Sequence, residues 1–344
     1  MNIADILKLK QVFQADKFSV GLNLGVSTLK MAKLKFLADG SKAQLCAYGL
    51  EQNNIDQEKA LKNVCQSCGA KSVNISVSGQ QAIIRYVDFP KMNSAELKQA
   101  LKFEAQKHIP FPLADVNIDG YILKDGLPDN KMRVLLAAVK KEFLNQRLKL
   151  LKDAGFDIAI ADIDSLALIN AFNFNYSDEG SVAGKTIALL NIGSVTSNLN
   201  ILEAGMPSLS RDINIGGNNF TQKITDILSV SFKEAEAMKT TQDNSKADKL
   251  LSIGEPVLAK LAQEVRTSFD YYESRSVTSV EKIYLSGGGC LYPGLKEILA
   301  NLLAINVENW DPLRKIGLAD NIEADKVRPL AGQLAVAIGL ALRR

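Results

Sequence analysis

Asn23-Leu24-Gly25-Val26-Ser27-Thr28 and Asn191-Ile192-Gly193-Ser194-Val195-Thr196 are one pattern written twice, 168 positions apart. Apolar runs flank each copy: Ser19 to Leu24 and Leu29 to Phe36 around the first, Thr186 to Asn191 and Ser197 to Glu203 around the second. Both therefore read as β-hairpins with a glycine- and hydroxyl-rich turn. Asn23 maps on Asn191, Gly25 on Gly193 and Thr28 on Thr196. A period this long is not that of a solenoid; it predicts an α/β chain of two homologous lobes, each opened by its own hairpin. Facing one another across a cleft, the turns would present backbone N–H groups and the hydroxyls of Ser27, Thr28, Thr196 and Ser197 to a polyphosphate from both sides, with Lys30 beside the first turn. Either turn alone is a common feature; the pair in register carries the reading.

The rest of the composition agrees with two packed domains. At 344 residues the chain exceeds one ordinary core, and 47% hydrophobic with 23% charged residues is globular. Forty-one basic and 38 acidic residues are spread without a basic block, which argues against nucleic acid. No transmembrane segment is expected: Leu330 to Leu342 is apolar but broken by Gln333 and falls well short of the roughly 20 residues that cross a bilayer. The N-terminus does not read as a signal peptide, so a cytoplasmic protein is expected. His108 is the only histidine, which argues against Ser-His-Asp chemistry and multi-histidine metal sites. Cys65 and Cys68 form a lone CxxC with no second pair, and buried or incidental thiols are preferred to a metal or redox site.

Along the chain, residues 1–17 carry Ile3, Ile6, Leu7, Lys10 and Phe13 at helical spacing. An ordinary packing helix and a partner- or membrane-surface contact are the two readings of that segment. Strands are expected near Gln44 to Leu50, Ser72 to Ser78 and Gln80 to Phe89, with a helix between the first two. Ser94 is read as the cap of a helix running to about Lys107, with Glu96 in its first turn but no full capping box. Pro110 and Pro112 stop that helix. The segment from Arg85 to Ala159 then reads as a β-α-β-β-α unit inserted in the first lobe. The expected division is 18–84 with 160–182 for the first lobe core, 85–159 for the insert, 183–215 with 280–344 for the second lobe core, and 216–279 for its helical part.

Two further segments suit a nucleotide. Ile283-Tyr284-Leu285-Ser286 ends in Gly287, Gly288 and Gly289, where a flat base or ribose could approach the backbone. Gly216, Gly217 and Asn218 open another helix, whose N-terminus favours anions. Glu236 and Lys239 share one helix face that could meet a ribose or base, although a solvated i,i+3 ion pair is the preferred reading.

Together these features resemble the actin-like ATPase superfamily of FtsA, MreB and the Hsp70 chaperones, and within it the PilM-like type IV pilus assembly family. The segments that carry the resemblance run from Phe89-Pro90-Lys91-Met92 through His108-Ile109-Pro110-Phe111-Pro112-Leu113, then Ser210 to Asn218, then Ala335 to Arg343. The resemblance implies a duplicated actin-like (ribonuclease H-like) two-lobe fold with an FtsA-type inserted subdomain, binding ATP or ADP, with or without Mg. It also implies a scaffold at the inner-membrane assembly platform that takes the cytoplasmic tail of a PilN-like membrane protein between the insert and the first lobe. Phe103, Ile109, Phe111 and Pro112 are candidate contacts for that tail, with the insert's core as their preferred role. Pilus motor ATPases and self-association are further expected contacts.

One departure bears on chemistry. Actin-like nucleotidases carry an acid in each phosphate hairpin, whereas this chain has Asn23 and Asn191. An amide brings no charge to a hard cation, so at most slow hydrolysis is expected. Asp162 and Asp164 are preferred as caps of a helix starting at Ser165 over acids of the cleft. The same asparagines count against a small-molecule kinase on this fold. An FtsA-like filament protein is disfavoured because Arg343-Arg344 follow directly on a helix expected to be buried.

Overall fold

The computed structural model describes residues 17–37, 42–53, 57–66, 69–180, 182–240 and 244–343. The N-terminal amphipathic segment and Cys68 lie outside the described residues.

The first lobe opens as an antiparallel meander of β1 (Lys17–Leu24), β2 (Thr28–Phe36) and β3 (Ala43–Gln52), followed by α1 (Gln57–Gln66) and β4 (Ser72–Val77). β4 pairs parallel to β1, and β8 (Asp157–Ile163) pairs parallel to β4. The second lobe repeats this with β9 (Thr186–Ile192), β10 (Ser197–Glu203) and β11 (Met206–Ile213) as the meander, then β12 (Lys282–Ser286) parallel to β9 and β13 (Asn306–Asn309) parallel to β12. The shared strand order is therefore β3-β2-β1-β4-β8 in one lobe and β11-β10-β9-β12-β13 in the other, with the short β14 (Ile316–Leu318) added beside β3. This is the duplication that the repeated hairpin predicts.

Between β4 and β8 the chain builds a separate three-stranded sheet, ordered β5 (Ala82–Pro90), β7 (Lys131–Lys140), β6 (Val116–Leu127). Strand alternation gives it two apolar faces. Met132, Val134, Leu136 and Ala138 of β7 pack under α2 (Ser94–Glu104), while Leu135, Ala137 and Val139 turn towards the first lobe, and α3 (Lys141–Asp153) returns the chain there. The cap of α2 differs from expectation. Asn93, not Ser94, is the N-cap, and the capping box is complete: its side chain accepts from the Ala95 and Glu96 amides, and Glu96 accepts from the Asn93 amide at 2.8 Å. Ser94 is the first helical residue, displaced from the cap by an asparagine that serves equally well.

Both lobes rest on two helices, α4 (Asp164–Tyr176) and α10 (Ala331–Ala341). One buried cluster joins Leu34 and Leu45 of the first lobe to Leu189, Leu202 and Tyr284 of the second through Leu168, Phe172, Leu334 and Ile338 of these helices. Phe172 stacks on Tyr176 with centroids 4.9 Å apart, and Trp310 meets Phe172 edge-on at 5.2 Å. The helical part of the second lobe comprises α5 (Gly217–Leu228), α6 (Phe232–Thr240) and α7 (Asn244–Glu273); α8 (Leu295–Leu303) and the one-turn α9 (Ala324–Val327) complete the chain.

The α4–α10 contact requires glycine. A Cβ on Gly339 would collide with the Ala167 carbonyl, whereas one on Gly332, seven residues earlier in α10, would meet nothing within 4 Å. Gly339→Ala should therefore cost about 1–3 kcal/mol by overpacking, while Gly332→Ala should stabilise by about 0.5–1 kcal/mol through helix propensity. Urea unfolding followed by Trp310 fluorescence measures both, and equal effects would contradict the packing described.

Candidate functional site

The two hairpin turns are built alike. A Cβ on Gly25 would stand 2.5 Å from the Thr28 carbonyl oxygen, and one on Gly193 2.7 Å from that of Thr196. Both glycines are thus set by the tightness of the turn, and the Gly193 amide closes its turn on the Thr196 carbonyl at 3.0 Å. The first turn is braced from outside, where Asn53 Nδ2 donates to the Gly25 carbonyl at 3.0 Å and the Asn53 amide to that of Ser27 at 2.9 Å.

Around the second turn the other predicted glycines gather. The amides of Gly217 and Asn218 donate to the Gly193 and Ser194 carbonyls at 2.8 and 2.7 Å, and the Gly216 amide to Asn219 Oδ1 at 2.8 Å. These amides are consumed within the protein, so the start of α5 braces the hairpin and does not offer those three donors to an anion. Gly287, at φ 93°, and Gly289 both press on Ile192 at the end of β9, where a Cβ on either would overlap it. Gly288 alone is uncrowded, with Gln333 Oε1 3.6 Å from where its Cβ would lie.

Lys239 and Glu236 are not a solvated pair. Lys239 is only 7% exposed, and its Nζ donates to Glu236 Oε1 at 2.6 Å, Thr221 Oγ1 at 2.9 Å and the Gly217 carbonyl at 3.2 Å. Burial lowers the pKa of this ammonium and the Glu236 carboxylate opposes the shift. The lysine ties α6 to the first turn of α5, and so to the hairpin beneath it.

Where the amides Asn23 and Asn191 replace acids, carboxylates arrive from elsewhere. Asn23 Nδ2 donates to Asp164 Oδ1 at 3.4 Å, while Asn191 Oδ1 accepts from Ser286 Oγ at 3.2 Å. Asp164 caps nothing: α4 begins at Asp164 itself, Ile163 holds the cap position, and no side chain bonds there. Desolvation raises the pKa of this half-buried carboxyl, with the Ser76 and Ser78 hydroxyls and the Lys30 and Arg147 cations pulling it back. Lys30, also desolvated, has its pKa lowered, with Asp164 opposing. Asp162 points away and accepts from the Ile163 amide at 2.8 Å and from Arg343 Nε at 2.7 Å.

The second lobe supplies Asp212. It accepts from Asn198 Nδ2, its cross-strand neighbour, and from the Gly79 amide of the first lobe. Its pKa is raised first by burial and then by the charge of Asp164, so the two acids feel one another across the gap between lobes. Sequence reasoning passed over Asp212 and Asn198. The available signal was that the strand leading into Gly216-Gly217 ends with an acid, on the edge where an α/β sheet binds ligands.

A second concavity lies between the insert and the first lobe. It encloses about 740 Å³ and is lined by β6 from Asn117 to Leu123, by Ala161 to Ile163 of β8, by Leu166 and Ile169, and by Met206 and Pro207 of the second lobe. β6 and β8 are each the outermost strand of their sheet, so two unpaired backbone edges flank an apolar trough. The four expected partner contacts do not line it. Ile109 is buried in the insert core under α2, Phe111 packs against that core with Lys140 Nζ 4.7 Å over its ring, Phe103 is 76% exposed, and Pro112 is exposed. All four belong to the opposite side of the insert sheet.

Among the described residues, no helix is long and apolar enough to cross a membrane, and no group of three or more His, Cys, Asp and Glu is placed to hold a metal. Cys46 and Cys290 are free thiols, and burial pushes Cys290 up to about 12.

Comparison with known proteins agrees with this architecture. A family model described as type IV pilus assembly protein PilM matches residues 36–344. Among solved structures, a PilM-PilN type IV pilus biogenesis complex superposes with a TM-score of 0.84 at 24% identity, over 94% of this chain and 98% of that one. The ethanolamine utilization protein EutJ from Carboxydothermus hydrogenoformans gives 0.56 at 14% identity, over 95% and 90%. Both show the shared actin-like fold. Chloroplastic heat shock 70 kDa protein 6 of Arabidopsis thaliana is 26% identical over 148 residues, 41% of this chain and 20% of that protein. Chaperone protein dnaK of Emiliania huxleyi is 30% identical over 127 residues, 35% and 20%. The aligned stretch is thus about a fifth of the length of these curated relatives. With the duplicated lobes, the inserted three-stranded sheet and a family match over most of its length, the chain has the actin-like fold and belongs to the PilM family of type IV pilus assembly proteins.

Proposed function

We propose that this chain is a nucleotide-responsive scaffold of the pilus assembly platform, holding the cytoplasmic tail of a PilN-like membrane protein in the trough between insert and first lobe. The observation that carries this reading is the trough itself, where the open edges of β6 and β8 face across an apolar floor. An extended peptide satisfies such an edge with its backbone and places alternate side chains in pockets. Peripheral association with the inner membrane would follow from that partner. Contacts with motor ATPases or a second copy would add to the same scaffold.

ATP or ADP is assigned to the cleft between the hairpins. The fit rests on the matched turns at Gly25 and Gly193, the uncrowded Gly288, and the two half-buried carboxylates. Asp164 and Asp212 are the groups that would hold Mg beside the phosphates, and that ion would supply neutralisation of phosphate charge. Ser27, Thr28, Thr196 and Ser197 are the hydroxyls nearest those turns, although Ser197 Oγ already donates to the Ile215 carbonyl at 2.6 Å. With Asn23 and Asn191 in place of acids, turnover is expected to be slow. Phosphate release with Mg-ATP tests this, and sustained turnover lost on Thr196→Ala and Gly288→Val would overturn it.

Asp212→Asn separates charge from shape. Because the folded protein raises this acid's pKa, ionisation costs stability as pH rises through that pKa. The variant should therefore melt higher than wild type at neutral pH, and the gain should shrink as pH falls below the raised value and be gone below the ordinary carboxylate pKa. Mg should enhance ADP affinity at least about tenfold less than in wild type, a loss of about 1.4 kcal/mol. Differential scanning fluorimetry across pH and calorimetric ADP titration measure the two effects.

For the partner, fluorescence anisotropy with a labelled N-terminal peptide of the PilN-like protein decides. Tyr121 is 69% exposed and lines the trough, so Tyr121→Asp should weaken binding by roughly tenfold or more without lowering the melting temperature. Phe103→Asp, on the α2 side, should leave it unchanged. The reverse result would move the tail to the α2 face.

A further inference from the structure

Between the insert and the second lobe lies a cavity of about 590 Å³ that shares no lining residue with the trough. β5 forms one wall, and β11 with the last turns of α7 forms the other. It shares Ile84, Arg85, Ser210 and Arg211 with a smaller space of about 220 Å³ that continues to Asn198 and Asp212.

Four arginines line the larger cavity, Arg85, Arg133, Arg211 and Arg275, against a single carboxylate, Glu203. Two of them are committed to structure. Arg133 forks onto Asp88 at 2.8 and 3.1 Å, and Arg211 pairs with Glu264 at 2.6 Å and donates to Ser268 Oγ at 2.9 Å. The other two have no carboxylate partner among the described residues: Arg85 Nη1 reaches only the neighbouring Ile84 carbonyl at 3.0 Å, and the Arg275 guanidinium lies 4.6 Å over the Tyr271 ring. Glu203 is engaged by the Tyr272 hydroxyl at 3.3 Å. The wall opposite is fixed by a hydrogen bond of 2.8 Å between Tyr86 and Ser210, which joins insert to lobe.

Two guanidinium groups without a carboxylate partner and a tyrosine under one of them make a concave site with surplus positive charge, while the Thr267 and Ser276 hydroxyls are taken up by the Gln263 carbonyl and by Tyr272 and Thr278. Guanidinium matches the fork geometry of phosphate oxygens, and a dianion answers two cations where a single carboxylate answers one. The volume falls in the range of small-molecule sites. We propose that this cavity binds a small phosphorylated ligand, with Arg85 and Arg275 on the phosphate and Tyr271 against its body. Such a ligand touches the insert and the second lobe together, so its binding strengthens the contact between them.

Calorimetric titration of the full chain with sodium pyrophosphate tests the assignment. The charge-reversed variant Arg85→Glu/Arg275→Glu should lose one pyrophosphate site, or weaken it by about tenfold or more, since each charge-assisted contact is lost. Its ADP titration should match wild type, which separates this site from the cleft. Lys98→Glu/Lys102→Glu makes the same charge change at exposed positions of α2 and should keep every site. The proposal is overturned if the arginine variant binds pyrophosphate as wild type does, or if the lysine variant loses as much. Tighter binding of polyglutamate than of pyrophosphate also overturns it, because that would mark a surface for acidic protein segments.

Discussion

Everything in this molecule hangs on how closely two helices approach one another. α10 comes near enough to α4 that its Gly339 has no room for a methyl group against the Ala167 carbonyl, and near enough to β1 that Gly21 has none against Ala337. Closeness of this kind lets one apolar layer serve two sheets at once. Leu34 from the first lobe and Leu189 from the second are both fully buried in it. The end of α10 is then fastened polar-fashion, with Asn74 Nδ2 donating to the Leu340 and Arg343 carbonyls at 2.9 and 3.0 Å and Arg343 reaching Asp162. Because the lobes share this core, any change in the angle between them must hinge around it and not through it.

That constraint explains what was legible from residues alone. The duplication was readable because turn geometry is local: Gly25 and Gly193 each face the carbonyl three residues on, and the sequence repeats whatever such a turn needs. The insert was readable for a similar reason, since Pro110 and Pro112 end a helix wherever they stand. The capping residue of α2 was misplaced by one because Asn93 and Ser94 are both good caps, and only backbone dihedrals choose between them. Asp164 reads from the sequence as an acid between the lobes or as a cap, and the cap is preferred because the chain alone does not show Asp212, 48 residues further on, coming within reach of it when the lobes close on α4 and α10. Lys239 was misjudged because three spacings on a helix say that it meets Glu236 but not that Gly217 and Thr221 bury it.

The insert occupies a position of leverage. One face packs under its own helix, the other turns to the first lobe, and its β5 edge touches the second lobe through Tyr86 and Ser210. The Gly79 amide, three residues before that strand, donates to Asp212 across the gap between the lobes. The insert sheet therefore has contacts in three directions: with its own helix, with the first lobe and with the second lobe.

The open edges of β6 and β8 have a cost that concerns manufacture more than operation. Two rows of open amides and carbonyls beside an apolar floor will accept any stray extended segment, including one from a nascent neighbour. In a crowded cell the trough is thus a place for mistaken strand pairing, and an occupant that covered both edges would also act as a guard.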